Sequence, residues 1–136
     1  MLDASVVTKW FTTDLDNGSQ AAQHLKEEFD AGELLPVVPP LLFLELLNTA
    51  ARRWHWSPEQ LQRMSNGLET LSFDVREPPL SAVARWAGRG LSAYDASYVA
   101  LAEALGLVVI TTDRQILEVA GPALTEPLGP ELANSG

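Results

Sequence analysis

The chain has 136 residues, of which 46% are hydrophobic and 20% charged, the balance of one ordinary globular domain long enough to bury a core. It has no cysteine and only two histidines, His24 and His55, which excludes disulfides, thiolate zinc sites and a histidine-based metal centre. Any metal must be held by oxygen and be a hard ion such as Mg²⁺ or Mn²⁺. A net charge of -9 excludes binding of nucleic acid by charge alone, but not an enzyme whose carboxylates reach phosphate through divalent ions.

Met1-Leu2 reads as a very short first strand, followed by Asp3-Ala4-Ser5 and an apolar stretch, Val6 to Phe11, that reads as a short helix or turn. Polar turn residues fill Asp14 to Asn17. Ser19 to Ala31 carries Ala21, Ala22, Leu25 and Phe29 at helical spacing and closes at Gly32. Leu34 to Val38 is an apolar run bounded by prolines, the pattern of a buried strand. It belongs to the richest apolar window, Leu34 to Leu47, which is broken by Pro36, Pro39, Pro40 and Glu45 and is too short to cross a membrane. No signal peptide is visible at Met-Leu-Asp, so a cytoplasmic location is expected.

Pro39-Pro40 opens a helix over Leu41 to Trp54. Ser57-Pro58-Glu59-Gln60 is a capping-box start for Leu61 to Leu71, which makes a helical hairpin. Phe73 to Val75 reads as a strand, Leu80 to Gly88 as a helix, and Ser92 to Leu105 as an Ala-rich helix stopped by Gly106. Leu107 to Thr111 is a β-branched strand and Arg114 to Ala120 a last helix. Alternation of strands and helices predicts an α/β fold with a short, mostly parallel β-sheet flanked by helices. Residues 1–121 form the predicted domain. Residues 122–136, rich in Pro and Gly, are expected to be an irregular, partly mobile tail.

Four carboxylates carry the chemistry. Asp3 and Asp113 each follow a predicted strand and precede a helix, and Asp95 stands three residues after the Ser92 N-cap, so helix capping explains each one singly. Glu45 lies among Leu41 to Leu47, where a lone charge is costly and needs a partner. Arg52 and Asn48 share its helical face and offer a structural tether. Jointly, residues past strand ends and at helix N-termini converge on the carboxyl edge of an α/β sheet. Carboxylates gathered there repel one another by several kcal/mol unless a cation neutralises them. Mg²⁺ or Mn²⁺ answers that need.

Leu2-Asp3-Ala4-Ser5-Val6-Val7, the Pro40 to Asn48 segment, Leu91 to Ala102 with its Ser92-Ala93-Tyr94-Asp95-Ala96 core, and Val109-Ile110-Thr111-Thr112-Asp113-Arg114 resemble the PIN-domain ribonucleases. The likeness is nearest to the VapC toxins of type II toxin-antitoxin systems and runs in order from residue 1 to about 121. It implies a PIN-like three-layer sandwich and a Mg²⁺- or Mn²⁺-dependent endoribonuclease in which metal-activated water attacks a phosphodiester. By the same resemblance Asp3, Glu45, Asp95 and Asp113 match the catalytic, metal-holding quartet. Ser5, Asn48 and Thr111 match supporting polar positions. The expected substrates are tRNA or rRNA, and the expected partners are a cognate antitoxin and a second copy in a homodimer. The family's first strand starts earlier than Met1-Leu2 allow, which implies a start before Met1 or a shortened strand.

Two rival readings are a phosphatase-type hydrolase and a silent binding module of the same fold. The first wants a second aspartate two residues after Asp3, where Ser5 stands. Arg114 and Arg52 are candidate contacts for RNA or a protein partner. Trp54 and Trp56 read as hairpin core or a dimer contact, Trp10 and Phe11 as anchors of the first helix or of an antitoxin groove, and Tyr94 and Tyr98 as packing residues.

Overall fold

The N-terminus is held by backbone pairing and by the buried Leu2 side chain. In the computed structural model, which describes residues 1–11 and 19–129, Leu2 forms a single parallel bridge with Ile110. The Met1 ammonium donates to the Val108 carbonyl at 3.0 Å, and the Ile110 N–H donates to the Met1 carbonyl at 2.8 Å. The first strand is thus one rung of ladder, and it ends at Asp3. Helix α1 (Ala4–Val7) follows and runs into a 3₁₀ turn over Thr8–Phe11. The turn residues expected at Asp14 to Asn17 lie outside the described residues.

Helix α2 (Ser19–Asp30) ends before Gly32, whose φ of 78° is a left-handed stop that favours glycine. Trp10 ties the 3₁₀ turn to α2, since its indole N–H donates to the Ala22 carbonyl at 2.9 Å and its ring lies 5.3 Å from Phe29. Strand β1 (Val37–Val38) pairs in parallel with β2 (Asp74–Val75), and between them run α3 (Leu41–Arg52) and α4 (Pro58–Thr70). The predicted capping box is present. Ser57 Oγ accepts from the Gln60 N–H at 3.2 Å, and the Ser57 N–H donates back to Gln60 Oε1 at 2.8 Å.

Helix α5 (Leu80–Ala87) precedes α6 (Ala93–Leu105), which starts at the Ser92 cap and stops at Gly106 with φ 68°. Strand β3 (Val109–Thr111), α7 (Arg114–Ala120) and β4 (Thr125–Pro127) close the chain. The irregular tail expected from residue 122 is corrected over residues 125–128 alone, where Thr125–Pro127 pairs in parallel with β3 and Leu128 is 1% exposed. An edge strand tolerates Pro127, and the Leu128 N–H resumes the ladder by donating to the Thr111 carbonyl at 3.1 Å. Residues 130–136 lie outside the described residues.

The chain is an α/β fold, and among the described residues its strands all pair in parallel, as two short pairs and one bridge. Helix α6 is buried on two faces. Tyr98 and Ala102 join Leu2, Val6, Val38, Leu42, Leu46 and Val109 in one cluster, while Ala96, Val99 and Ala100 join Val83, Trp86 and Ile116 in another. That double burial explains why α6 is built of alanine and large apolar residues with little polar face. It also packs α6 against Leu2 and β3, through Tyr98 and Ala102. Among the described residues no helix is long and apolar enough to cross a membrane.

Candidate active site

Asp3 sits where the Leu2 bridge ends, and only 3% of it is exposed. Its backbone occupies the N-cap of α1, with the Val6 and Val7 N–H groups donating to its carbonyl at 3.2 Å each. Its side chain does no capping. Instead it accepts from Ser5 Oγ at 2.6 Å and from Thr111 Oγ1 at 2.5 Å. Both hydroxyls are themselves held, because Ser5 Oγ accepts from the Thr112 N–H at 3.0 Å and Thr111 Oγ1 from the Asp113 N–H at 2.9 Å. Ser5 and Thr111 thus clamp Asp3 in one orientation. Burial pushes its carboxyl up to about 6, while the Ser5 and Thr111 bonds and the nearby Val6 N–H hold it down and Asp113 adds a small upward push.

Asp113 caps α7, its Oδ1 accepting from the Ile116 N–H at 3.0 Å. The capping reading is therefore correct for this residue, and it uses one oxygen. Asp95, half-buried in the first turn of α6, has its N–H on Ser92 Oγ at 3.0 Å. Burial and then Asp113 raise its carboxyl, and hydrogen bonding to Ser92 opposes them. Glu45 is on α3 between the fully buried Leu42 and Leu46. Its partner is Tyr98 of α6, whose hydroxyl donates to Glu45 Oε1 at 2.5 Å. Burial raises Glu45 above its ordinary range, the Tyr98 bond lowers it, and Asp95 and Asp3 raise it further. The Tyr98 phenol is pushed far up by burial and by the same acids, so it stays protonated and remains a donor.

These influences link the four acids into one electrostatic unit. Asp113 acts on Asp3 and Asp95, Asp95 acts on Glu45, and Asp3 acts on Glu45. No lysine or arginine is among the groups that shift Asp3, Glu45 or Asp95. The unit is open: among the described residues no three or more acids or histidines form a ready-made metal cage. Carboxylates from four separate elements that influence one another without a counter-charge have the donor chemistry that suits a hard ion keeping several of its waters.

The other sequence candidates lie around this unit. Arg114 is exposed directly after Asp113. Asn48 and Arg52 are exposed on α3, and the structural tether from Glu45 to Arg52 is replaced by the bond to Tyr98. Trp54 and Trp56 pack with ring centroids 5.4 Å apart at the end of the α3–α4 hairpin, and Phe11, Trp56, Gln60, Arg63 and Met64 line a concavity of about 350 Å³ away from the acids. Sequence reading alone misses the Tyr98 link to Glu45, for which the signal is a tyrosine one turn after Asp95 within the apolar stretch of α6. The expectation that Tyr94 is a packing residue is corrected, since Tyr94 is 63% exposed.

The PIN domain family model matches residues 1–122. The chain is similar to Exonuclease VapC9 from Pyrobaculum aerophilum, at 56% identity over 48 residues, which is 34% of this chain and only 36% of that protein. It is also similar to the crystal structure of PAE2754 from Pyrobaculum aerophilum, with a TM-score of 0.65 and 28% identity over 98% of this chain and 91% of that one. A family match over nearly the whole described chain, a shared fold, and strand-end acids drawn to one place agree: the chain belongs to the PIN domain family.

Proposed function

We propose that this protein is a Mg²⁺- or Mn²⁺-dependent endoribonuclease toxin of the VapC kind, cutting RNA of the tRNA or rRNA class and silenced by a cognate antitoxin. The observation that carries this reading is the set of four carboxylates, Asp3, Glu45, Asp95 and Asp113, which influence one another, with no cation among the groups that shift Asp3, Glu45 and Asp95. The similarity to a protein named as a VapC exonuclease supports nuclease chemistry. A divalent ion bound there supplies a Lewis acid that stabilises charge on the phosphoryl group and activates water.

The residues of the chain prepare that site. The Ser5 and Thr111 clamp holds both Asp3 oxygens in fixed directions, and the permanently protonated Tyr98 orients Glu45. Asp113 caps α7 with Oδ1 and keeps Oδ2 for the site. Arg114, exposed beside it, is placed to meet a phosphate or an acidic partner. The same reading gives a cytoplasmic protein acting as a homodimer. The phosphatase alternative loses ground because Ser5, in the place of its second acid, donates to Asp3.

The name of the relative favours one second reading, that cleavage proceeds from RNA ends. The test is to incubate antitoxin-free protein with total tRNA and rRNA and with a circular RNA, in Mg²⁺, Mn²⁺ or EDTA, alongside Asp113→Asn. Asparagine also caps helices, so that variant should fold. Metal-dependent fragments, including opened circles, that vanish in the variant are expected. Shortening of linear RNA with intact circles selects the exonuclease, and no cleavage by folded wild-type protein overturns the proposal.

A further inference from the structure

Tyr94 is the aromatic side chain that packing leaves unexplained. It stands 63% exposed in the first turn of α6, and among the described residues no hydrogen bond or ring contact engages it. Its place relative to the acids is set by helix geometry. Tyr94 and Tyr98 are four residues apart, so they lie one above the other on the same face of α6. On that face Tyr98 reaches Glu45. Asp95, the next residue, is coupled to Asp113 and acts on Glu45. Tyr94 therefore stands at the rim of the carboxylate unit, one turn outward from the buried Tyr98.

Arg114 apart, this acidic chain gains little from phosphate neutralisation, because a net charge of -9 opposes approach of RNA and no lysine or arginine is among the groups that shift Asp3, Glu45 and Asp95. Stacking of a base on an aromatic face supplies affinity that needs no cation. We infer that Tyr94 is the platform on which a nucleobase adjoining the bound phosphate stacks. A base freed from its own helix can reach such a face, which a base stacked in a duplex cannot. The inference rests on the nuclease reading above and adds the residue that positions substrate.

The test uses a short single-stranded oligonucleotide spanning a site that the wild-type protein cuts, with Tyr94→Ala and Tyr94→Phe. Tyr94→Ala is expected to raise KM roughly 5- to 100-fold with kcat little changed, the range that loss of one stacked base gives. Tyr94→Phe should restore the wild-type KM, the melting temperature of both should match wild type, and annealing a complementary strand should stop cleavage. A KM for Tyr94→Ala within about twofold of wild type overturns the inference while leaving the nuclease standing. An unchanged KM with altered sedimentation also overturns it and assigns Tyr94 to a protein interface. Wild-type protein that cuts no RNA overturns the nuclease reading itself, and this inference with it.

Discussion

Replacing Asp3 by asparagine should stabilise the metal-free protein at neutral pH. The folded-state carboxyl titrates at about 6 against an ordinary value of 3.8, so folding disfavours its charge by roughly two pH units. At ~1.36 kcal/mol per unit this is a penalty of about 3 kcal/mol. The sign follows from linkage: the penalty is absent below the unfolded pKa of 3.8, grows as pH rises from there to about 6, and is complete above. Only 3% of the residue is exposed, so solvent screening takes little of it away. The asparagine side chain avoids the charge but presents an amide to Ser5 and Thr111, whose oxygens already accept from the Thr112 and Asp113 N–H groups. One compromised hydrogen bond costs about 1 to 1.5 kcal/mol, which leaves a net gain of about 1.5 kcal/mol. For a chain of 136 residues the unfolding entropy is ~0.3 kcal/mol/K, so Tm should rise by about 5 °C. Thermal unfolding in EDTA at pH values of about 7.5 and 4.5 is the assay, and the difference should nearly vanish at the lower pH. Saturating Mg²⁺ should then raise wild-type Tm by several degrees and leave Asp3→Asn unmoved. An asparagine variant that melts below wild type at the higher pH would show that Asp3 is a structural hydrogen-bond hub and refute the reasoning.

Three further outcomes follow from single contacts. Tyr98→Phe removes the donor that lowers Glu45, so the acid limb of the cleavage–pH profile should move to higher pH, with stability reduced by ~1 kcal/mol; an unmoved limb would separate Tyr98 from Glu45 function. Ser57→Ala breaks the side-chain half of the α4 capping box and should lower Tm by about 3 °C, from ~1 kcal/mol, with activity retained; an unchanged Tm would mean that the Gln60 half suffices. His55→Gly relieves a non-glycine residue at φ 56°, exposed between α3 and α4, and should raise stability by ~1 kcal/mol in denaturant titration; a loss would mean that the imidazole makes contacts worth more than the strain.

The helices are legible in the sequence because their ends are local chemistry. Ser57 to Gln60, Ser92, and Gly106 at φ 68° stand where the sequence places them, since a cap depends on neighbours three or four residues away. The strands are less legible. Leu34 to Val38 reduces to Val37–Val38, and Thr125–Pro127 is hidden by its prolines, because pairing is decided by a partner strand and not by composition. The acids themselves can be found one by one, through strand ends and an isolated charge in an apolar helix. Their supports are partly hidden by distance: Tyr98 and Glu45 are 53 residues apart, and Thr111 and Asp3 are 108 apart.

Capping alone cannot account for the quartet. It accounts for Asp113, whose side chain accepts the Ile116 N–H, and it accounts for the position of Asp95 after Ser92. Asp3 has the backbone of a cap, but its carboxyl oxygens accept from two hydroxyls, Ser5 and Thr111, that are themselves fixed by backbone N–H groups. Glu45 is in the middle of a helix, where no free N–H exists to cap, and its partner is a phenol that other acids also press upon. Both are held in the state that burial disfavours, by neighbours arranged to aim carboxyl oxygens in set directions. A protein selected only for stability would replace such groups with neutral isosteres. Two such groups acting on each other, with Asp95 and Asp113 adding like charge, are what the proposed site needs: a bound cation and phosphate would recover the stability that their burial costs.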